Sequence, residues 1–149
     1  MPVRFLAMDE VDGYVKDVSN EGSPVDLAEK RTTTFARRKI FLCSSPTVKD
    51  DSRIESEYQS SDMRRFFIPC PHCNHMQWLQ WGNKNDPWGL KWDDENPKIV
   101  HYMCESCKAL IEERHKTDFL NKGEWRSTNK DWDGVTVGFH LSSLYSPLG

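Results

Sequence analysis

Residues 3–10 read Val-Arg-Phe-Leu-Ala-Met-Asp-Glu, and residues 40–47 read Ile-Phe-Leu-Cys-Ser-Ser-Pro-Thr. Each is a short apolar run ending in polar residues, the pattern of a strand buried on both faces whose tip reaches a ligand crevice. Between them, Ser23-Pro24-Val25-Asp26 predicts a helix start, with Ser23 as N-cap, Pro24 as first helical residue and Asp26 as the acid of a capping box. The helix is expected from about 24 to 38, with Leu27, Ala28 and Phe35 as its apolar stripe and Arg37, Arg38 and Lys39 at its C-terminal end. Strand, helix and strand in this order form a βαβ unit with parallel strands, so the expected fold class is α/β. Cys43 lies inside the second apolar run and reads as a buried core thiol.

The other informative feature is cysteine spacing. Four of the five cysteines form two C-x-x-C pairs, Cys70 with Cys73 and Cys104 with Cys107. An odd count argues against a disulfide framework, whereas paired C-x-x-C knuckles supply the four thiolates of a structural zinc site. A redox pair is the rival reading for either motif alone, but two pairs without a thioredoxin-like setting favour zinc. The long gap between the knuckles is expected to form its own strands, the layout of a zinc ribbon. His72, His75 and His101 lie near the knuckles, but four cysteines already close a tetrahedral site. Trp78, Trp81, Trp88 and Trp92 crowd the gap. They read as core or interface packing, with stacking on nucleic-acid bases as the other reading.

The 149 residues carry 20 Lys+Arg against 23 Asp+Glu, a net charge of −3 with neutral histidines, and 37% are hydrophobic. This balance excludes the disordered class and gives no general basic character for nucleic-acid binding. No apolar run approaches the roughly 20 residues that span a bilayer, and the first residues lack a secretory pattern. Residues 112–121 are expected to be helical, with Gly123 just beyond the end. Val135 to Phe139 alternates as a strand returning to the first sheet. The expected boundary is the polar stretch Lys49 to Asp62.

An apolar strand ending in Asp-Glu has a mechanistic reading in nucleoside triphosphatases. The aspartate, Asp9, holds Mg2+, and the adjacent Glu10 polarises the water that attacks the γ-phosphate. The hydroxyls of Ser44, Ser45 and Thr47 at the second strand tip would line the same crevice.

The succession RFLAMDEVDGY, ARRKIFLCSSPT, YQSSDMRRFFIPCPHCNHMQWLQW, YMCESCKALIEERHKTDFLNKGEW and VGFHLSSLYSPLG resembles the large terminase subunit of tailed bacteriophages, GpA type. The resemblance covers essentially the whole chain. It implies a partial P-loop-type ATPase sheet carrying a zinc-ribbon insertion, with residues 1–62 and 112–149 in the ATPase core and 63–111 in the ribbon. It makes Asp9 the Walker B Mg2+ ligand and Glu10 the catalytic glutamate. Ser44, Ser45, Pro46 and Thr47 match the coupling motif, and Cys70, Cys73, Cys104 and Cys107 the ribbon cysteines. Implied for the parent protein are ATP and Mg2+, double-stranded DNA, the small terminase subunit, the procapsid portal, and work in the cytoplasm of the bacterial host. A nuclease domain of that parent cuts concatemeric DNA.

The chain departs from the family in lacking any G-x-x-x-x-G-K-[ST] run, so it has no phosphate cradle. It is therefore expected to be an internal fragment with negligible ATP hydrolysis of its own, and an open strand edge at residues 40–43 should favour self-association. The alternative class is a non-catalytic zinc-ribbon module that binds DNA or a packaging protein, with Arg64, Arg65 and Lys84 as a local basic patch.

Overall fold

Two short parallel strands meet in register near the N-terminus of the computed structural model, which describes residues 1–147. The chain divides into two units, Met1–Ser60 and the remainder from Ser61. That division falls inside the polar stretch 49–62.

In the first unit β1 (Phe5–Asp9) pairs with β2 (Lys39–Cys43), Phe5 opposite Lys39 and Asp9 opposite Cys43. Helix α1 (Pro24–Lys30) lies between them in sequence and α2 (Arg53–Gln59) follows. Met8, Val11 and Val25 form the buried centre, joined by Leu6, Ala28, Ile40, Leu42 and Ile54. Side chains alternate across a strand, so Phe5, Ala7, Phe41 and Cys43 fall on the opposite face. That face is open: Phe5 is 65% exposed and Phe41 64%. The expectation of strands buried on both faces, with Cys43 in the core, is thereby corrected, since Val25, Ala28 and Ile54 cover one face only.

Helix α1 starts where the sequence places it. The Ser23 hydroxyl accepts from the amides of Val25 at 3.2 Å and Asp26 at 3.5 Å. Asp26 does not close the capping box; it pairs with Arg53 at 2.9 Å. The same guanidinium meets Glu57 at 2.7 Å, joining α1 to α2. The helix ends at Lys30, well short of residue 38, because three threonines follow. Thr32 and Thr33 turn their hydroxyls back onto the carbonyls of Glu29 and Lys30 at 2.7 and 2.8 Å, and β-branched side chains fit poorly in a helix. Arg37 and Arg38 thus fall outside it, and Lys39 opens β2.

The second unit is built on two sheets, one mixed and one antiparallel. In one, β3 (Arg64–Pro69) pairs with β4 (Met76–Trp78) and β8 (Glu124–Arg126). In the other, β5 (Gly89–Trp92), β6 (Val100–Met103) and β7 (Leu110–Ile111) follow one another. The gap between the cysteine pairs thus forms its own strands. Ile68, Leu79, Tyr102, Ile111, Phe119 and Tyr145 share one core with Cys70 and Cys104. Two tyrosine hydroxyls stitch it: Tyr145 accepts from the Leu79 amide and donates to the Phe66 carbonyl, both at 2.7 Å, while Tyr102 accepts from the Gln80 amide at 3.1 Å. Trp78, Trp88 and Trp92 are half-buried and Trp81 is exposed. The loop ahead of β5 closes around the Lys91 ammonium, which donates to the carbonyls of Lys84 at 3.0 Å and Asp86 at 2.6 Å, with those of Asn83 and Trp88 at 3.3 Å.

Two elements differ from expectation. A 3-10 turn occupies Glu113–His115, and α3 covers only Lys116–Asn121. The alternating run 135–139 contributes a single short strand, β9 (Phe139–His140), which pairs in parallel with β3 rather than with the β1–β2 sheet. Its donors and acceptors are already engaged. The Asp133 carboxylate accepts from Val135 at 2.8 Å and Thr136 at 3.3 Å. Buried Asp62 takes the amide of Gly138 at 3.0 Å and the guanidinium of Arg64 at 2.6 Å. The Asp62 amide also donates to the Thr136 carbonyl at 3.2 Å and the Arg64 amide to that of Gly138 at 2.8 Å, fastening this stretch to the start of β3. Leu148 and Gly149, which close the family-like stretch VGFHLSSLYSPLG, lie outside the described residues.

Gly123 precedes β8 where a Cβ would stand 2.3 Å from Cε1 of Phe66 and 3.0 Å from the Phe67 carbonyl oxygen. Gly123→Ala should therefore destabilise the second unit by about 1–3 kcal/mol through overpacking. Urea unfolding followed by tryptophan fluorescence measures this, and an unchanged midpoint would refute the close approach.

Candidate functional site

The parallel register of β1 and β2 brings two polar strand ends to one side of the first unit. Asp9 closes β1 and Glu10 follows it in the left-handed region, at φ 52° and ψ 42°. A glutamate rarely adopts this conformation, which is characteristic of positions held under strain. The Glu10 amide donates to the Asp9 carboxylate at 2.9 Å, and both acids are exposed. At the neighbouring strand end the Ser44 hydroxyl accepts from the amide of Asp12 at 3.2 Å and donates to the carbonyl of Ser45 at 3.1 Å. Asp9, Glu10, Ser44 and Thr47 thus share one end of the sheet; Ser45 is exposed beside them.

The residue that joins these ends is Asp12, which the sequence pattern leaves inside an ordinary loop. One carboxylate oxygen accepts from the amide of Thr47 at 3.0 Å and its hydroxyl at 3.3 Å, the other from the amide of Ile54 at 2.8 Å. Burial pushes the Asp12 carboxyl upward, but hydrogen bonds from Ile54, Ser52 and Thr47 outweigh it and hold the group below its ordinary value. No motif spacing marks this role; its only sequence signal is an acid shortly after an Asp-Glu strand end.

In the second unit each cysteine pair sits at the turn of a hairpin, Cys70 and Cys73 between β3 and β4, Cys104 and Cys107 between β6 and β7. The two knuckles repeat one geometry. The amide of Cys70 donates to the carbonyl of His75 at 2.9 Å, and that of Cys104 to the carbonyl of Ala109 at 3.0 Å. Asn74 and Lys108, four residues after each first cysteine, both take φ 59°. The first cysteine of each pair is buried and the second exposed. All four Sγ atoms lie within 4.8 Å of one another, a set that could hold a metal ion. Cys70 to Cys107 and Cys73 to Cys104 are each 3.8 Å apart, far beyond the roughly 2.05 Å of a disulfide.

The thiols differ in their surroundings. Burial pushes Cys70 up to about 12, while the amide of His75 pulls Cys73 down to about 7. A buried thiol of this kind becomes a thiolate when a cation replaces its proton. Around the cluster, His75 Nε2 meets the Glu105 carboxylate at 2.5 Å and ties one knuckle to the other. The side-chain oxygen of buried Gln77, Oε1, accepts the Glu105 amide at 2.9 Å. His72 turns away to the Leu110 carbonyl at 3.2 Å, and none of His72, His75 and His101 joins the cysteine set. The basic patch expected from Arg64, Arg65 and Lys84 is partly neutralised, since Arg64 pairs with Asp62 and Lys84 with Asp94. No helix among the described residues is long and apolar enough to cross a membrane.

The family described as "Phage terminase large subunit gpA, ATPase domain" matches residues 1–125. The large terminase subunits of Enterobacteria phage P21 and Escherichia phage lambda are each 32% identical to the chain, across 98% of it and 25% of their own length. The chain thus spans about a quarter of these relatives, and no solved structure matches it. A match over most of the chain, and this identity to two such subunits, mean that the chain belongs to the phage terminase large subunit family, residues 1–125 matching its gpA-type ATPase domain.

Proposed function

We propose that this chain supplies the water-activating side of a P-loop-type packaging ATPase, which drives viral DNA into procapsids, together with a structural zinc ribbon. The observation that carries the first part is the shared strand end: Asp9 and Glu10 lie beside Ser44 and Thr47, with Glu10 held in the left-handed region. Asp9 would hold Mg2+, directly or through water, which suits an ion bound through few carboxylates and its substrate phosphates. The ion would neutralise charge developing on the transferred phosphoryl group. Glu10, one residue on and exposed, orients and deprotonates the attacking water. Ser44 and Thr47 hold the neighbouring loop at the distance their bonds to Asp12 set. The sequence contains no Gly-rich cradle with its lysine, so the β- and γ-phosphates of ATP have no cradle among these residues and no hydrolytic step is assigned to this chain alone. The partners proposed for the whole motor are double-stranded DNA, the small terminase subunit and the procapsid portal, in the cytoplasm of the bacterial host.

The metal of the ribbon is proposed to be zinc. Four thiolates at about 2.3 Å from a tetrahedral ion stand about 3.8 Å apart, the separation of Cys70 from Cys107 and of Cys73 from Cys104. No coordination position stays open, so the ion is structural.

Three measurements test these readings. In a packaging ATPase that carries this segment with a phosphate cradle, Glu10→Gln should lower kcat by about 10²–10⁴-fold while ATP binding persists; an unchanged kcat would remove Glu10 from the chemistry. Native mass spectrometry should find one zinc per chain, and chelation should release four reactive thiols and unfold the β3–β7 region. Purified protein with no zinc, or with Cys70, Cys73, Cys104 and Cys107 oxidised, would refute the ribbon. The exposed Phe5 and Phe41 face beside two open strand edges supports self-association of the chain. A clean monomer in sedimentation at tens of micromolar would count against it.

A further inference from the structure

We propose that Asp12 is a positioning residue that makes the acid pair of β1, the Ser44–Thr47 loop and the start of α2 one mechanical unit. This rests on the reading of Asp9 and Glu10 as the ion-and-water end of the site. The argument begins with the turn Val11–Gly13. Its first hydrogen bond runs from the Gly13 amide to the Glu10 carbonyl at 2.8 Å, and Val11 is buried in the core. Glu10 and Asp12 are therefore parts of one short turn, anchored underneath by Val11. A change in the strained backbone of Glu10 re-aims the Asp12 carboxylate with it.

What that carboxylate holds is unusual in its reach. Its bonds to Thr47 and Ile54 cross 35 and 42 residues of sequence. At the start of α2 the Ser52 hydroxyl satisfies the amide of Glu55 at 3.1 Å, leaving the amide of Ile54 to Asp12. Asp12 thus completes the capping of a helix to which it does not belong. Its own amide donates to Ser44, so the same residue grips the β2 end from main chain and side chain together. Two segments with no strand pairing, the loop at Thr47 and the start of α2, converge on one side chain. An amide in its place cannot do the same: both carboxylate oxygens accept here, and Asn would turn one of them into a donor facing another donor.

The test uses the zinc-loaded 149-residue chain and Mn2+ as the probe ion. Paramagnetic broadening reports where Mn2+ binds, and amide hydrogen exchange at Thr47 and Ile54 reports the clip. In the unmodified chain Mn2+ should broaden Asp9 and Glu10 and also change exchange at Thr47 and Ile54. Asp12→Asn should still bind Mn2+ at Asp9 and Glu10, but exchange at Thr47 or Ile54 should be about tenfold faster, the size of one lost charge-assisted hydrogen bond, and should no longer respond to the ion. Asp17→Asn controls for general loosening. Asp17 caps its own loop through the amides of Asn20 and Gly22 at 2.7 and 2.9 Å, so its loss should leave the response intact. Mn2+ binding without a response in the unmodified chain, or an equal response in Asp12→Asn, overturns the role of Asp12 and leaves the ion site standing. Failure of Mn2+ to broaden Asp9 and Glu10 overturns the ion site itself, and with it this inference.

Discussion

The second unit depends on four sulfur atoms meeting at one point. Its strands are short, two to six residues, and sheets built from them need a packed hydrophobic face to be stable. The knuckles solve this by placing Cys70 and Cys104 inside the same core as Ile68, Tyr102, Ile111 and Phe119. Hydrophobic packing and thiol convergence thus act on the same residues. A cation held among the sulfurs would join β3–β4 to β6–β7, which share no strand pairing. Beside the sulfurs, contacts of His75 and Gln77 with Glu105 and of His72 with Leu110 also tie the knuckles together.

The first unit is held differently, by polar atoms at the ends of an apolar pair of strands. The sheet contributes one covered face, and Arg53 and Asp12 do the rest from outside the core. Arg53 collects Asp26 and Glu57, while Asp12 collects Thr47 and Ile54. In both cases one planar group satisfies donors or acceptors from separate segments, so the segments are fixed by direction as well as by distance. That is the requirement of a site whose groups must stay aligned while the surrounding sheet offers little bulk.

Much of this was legible in the residues. The apolar runs at 3–8 and 40–43, with Ser23-Pro24 between them, announce a parallel strand pair and a helix, because burial and capping are local rules. The cysteine spacing announces a thiol cluster for the same reason: two turns of fixed geometry leave little freedom. What could not be read depends on partners far along the chain. The helix from Pro24 ends early because Thr32 and Thr33 find carbonyls in the preceding turn, a competition that apolar periodicity does not register. Phe139 pairs with β3 rather than β1–β2 because Asp62 and Asp133 have taken the amides around it. The open face of Phe5 and Phe41, and hence exposed Cys43, reflects what does not cover the sheet. Asp12 escaped notice because its importance lies wholly in bonds to residues 44, 47 and 54.

The lysine inside the loop ahead of β5 has a consequence of its own. An ammonium has three hydrogens to give, and here four main-chain carbonyls of residues 83–88 gather around that of Lys91. Where a dissolved cation fills such a ring of carbonyls, the shape of the ring follows the concentration of that cation. This loop carries its cation on a tether, so its local concentration is set by four methylene groups rather than by the medium. The tip that presents Trp88 should therefore hold its form whether the surrounding solution is rich or poor in potassium or magnesium.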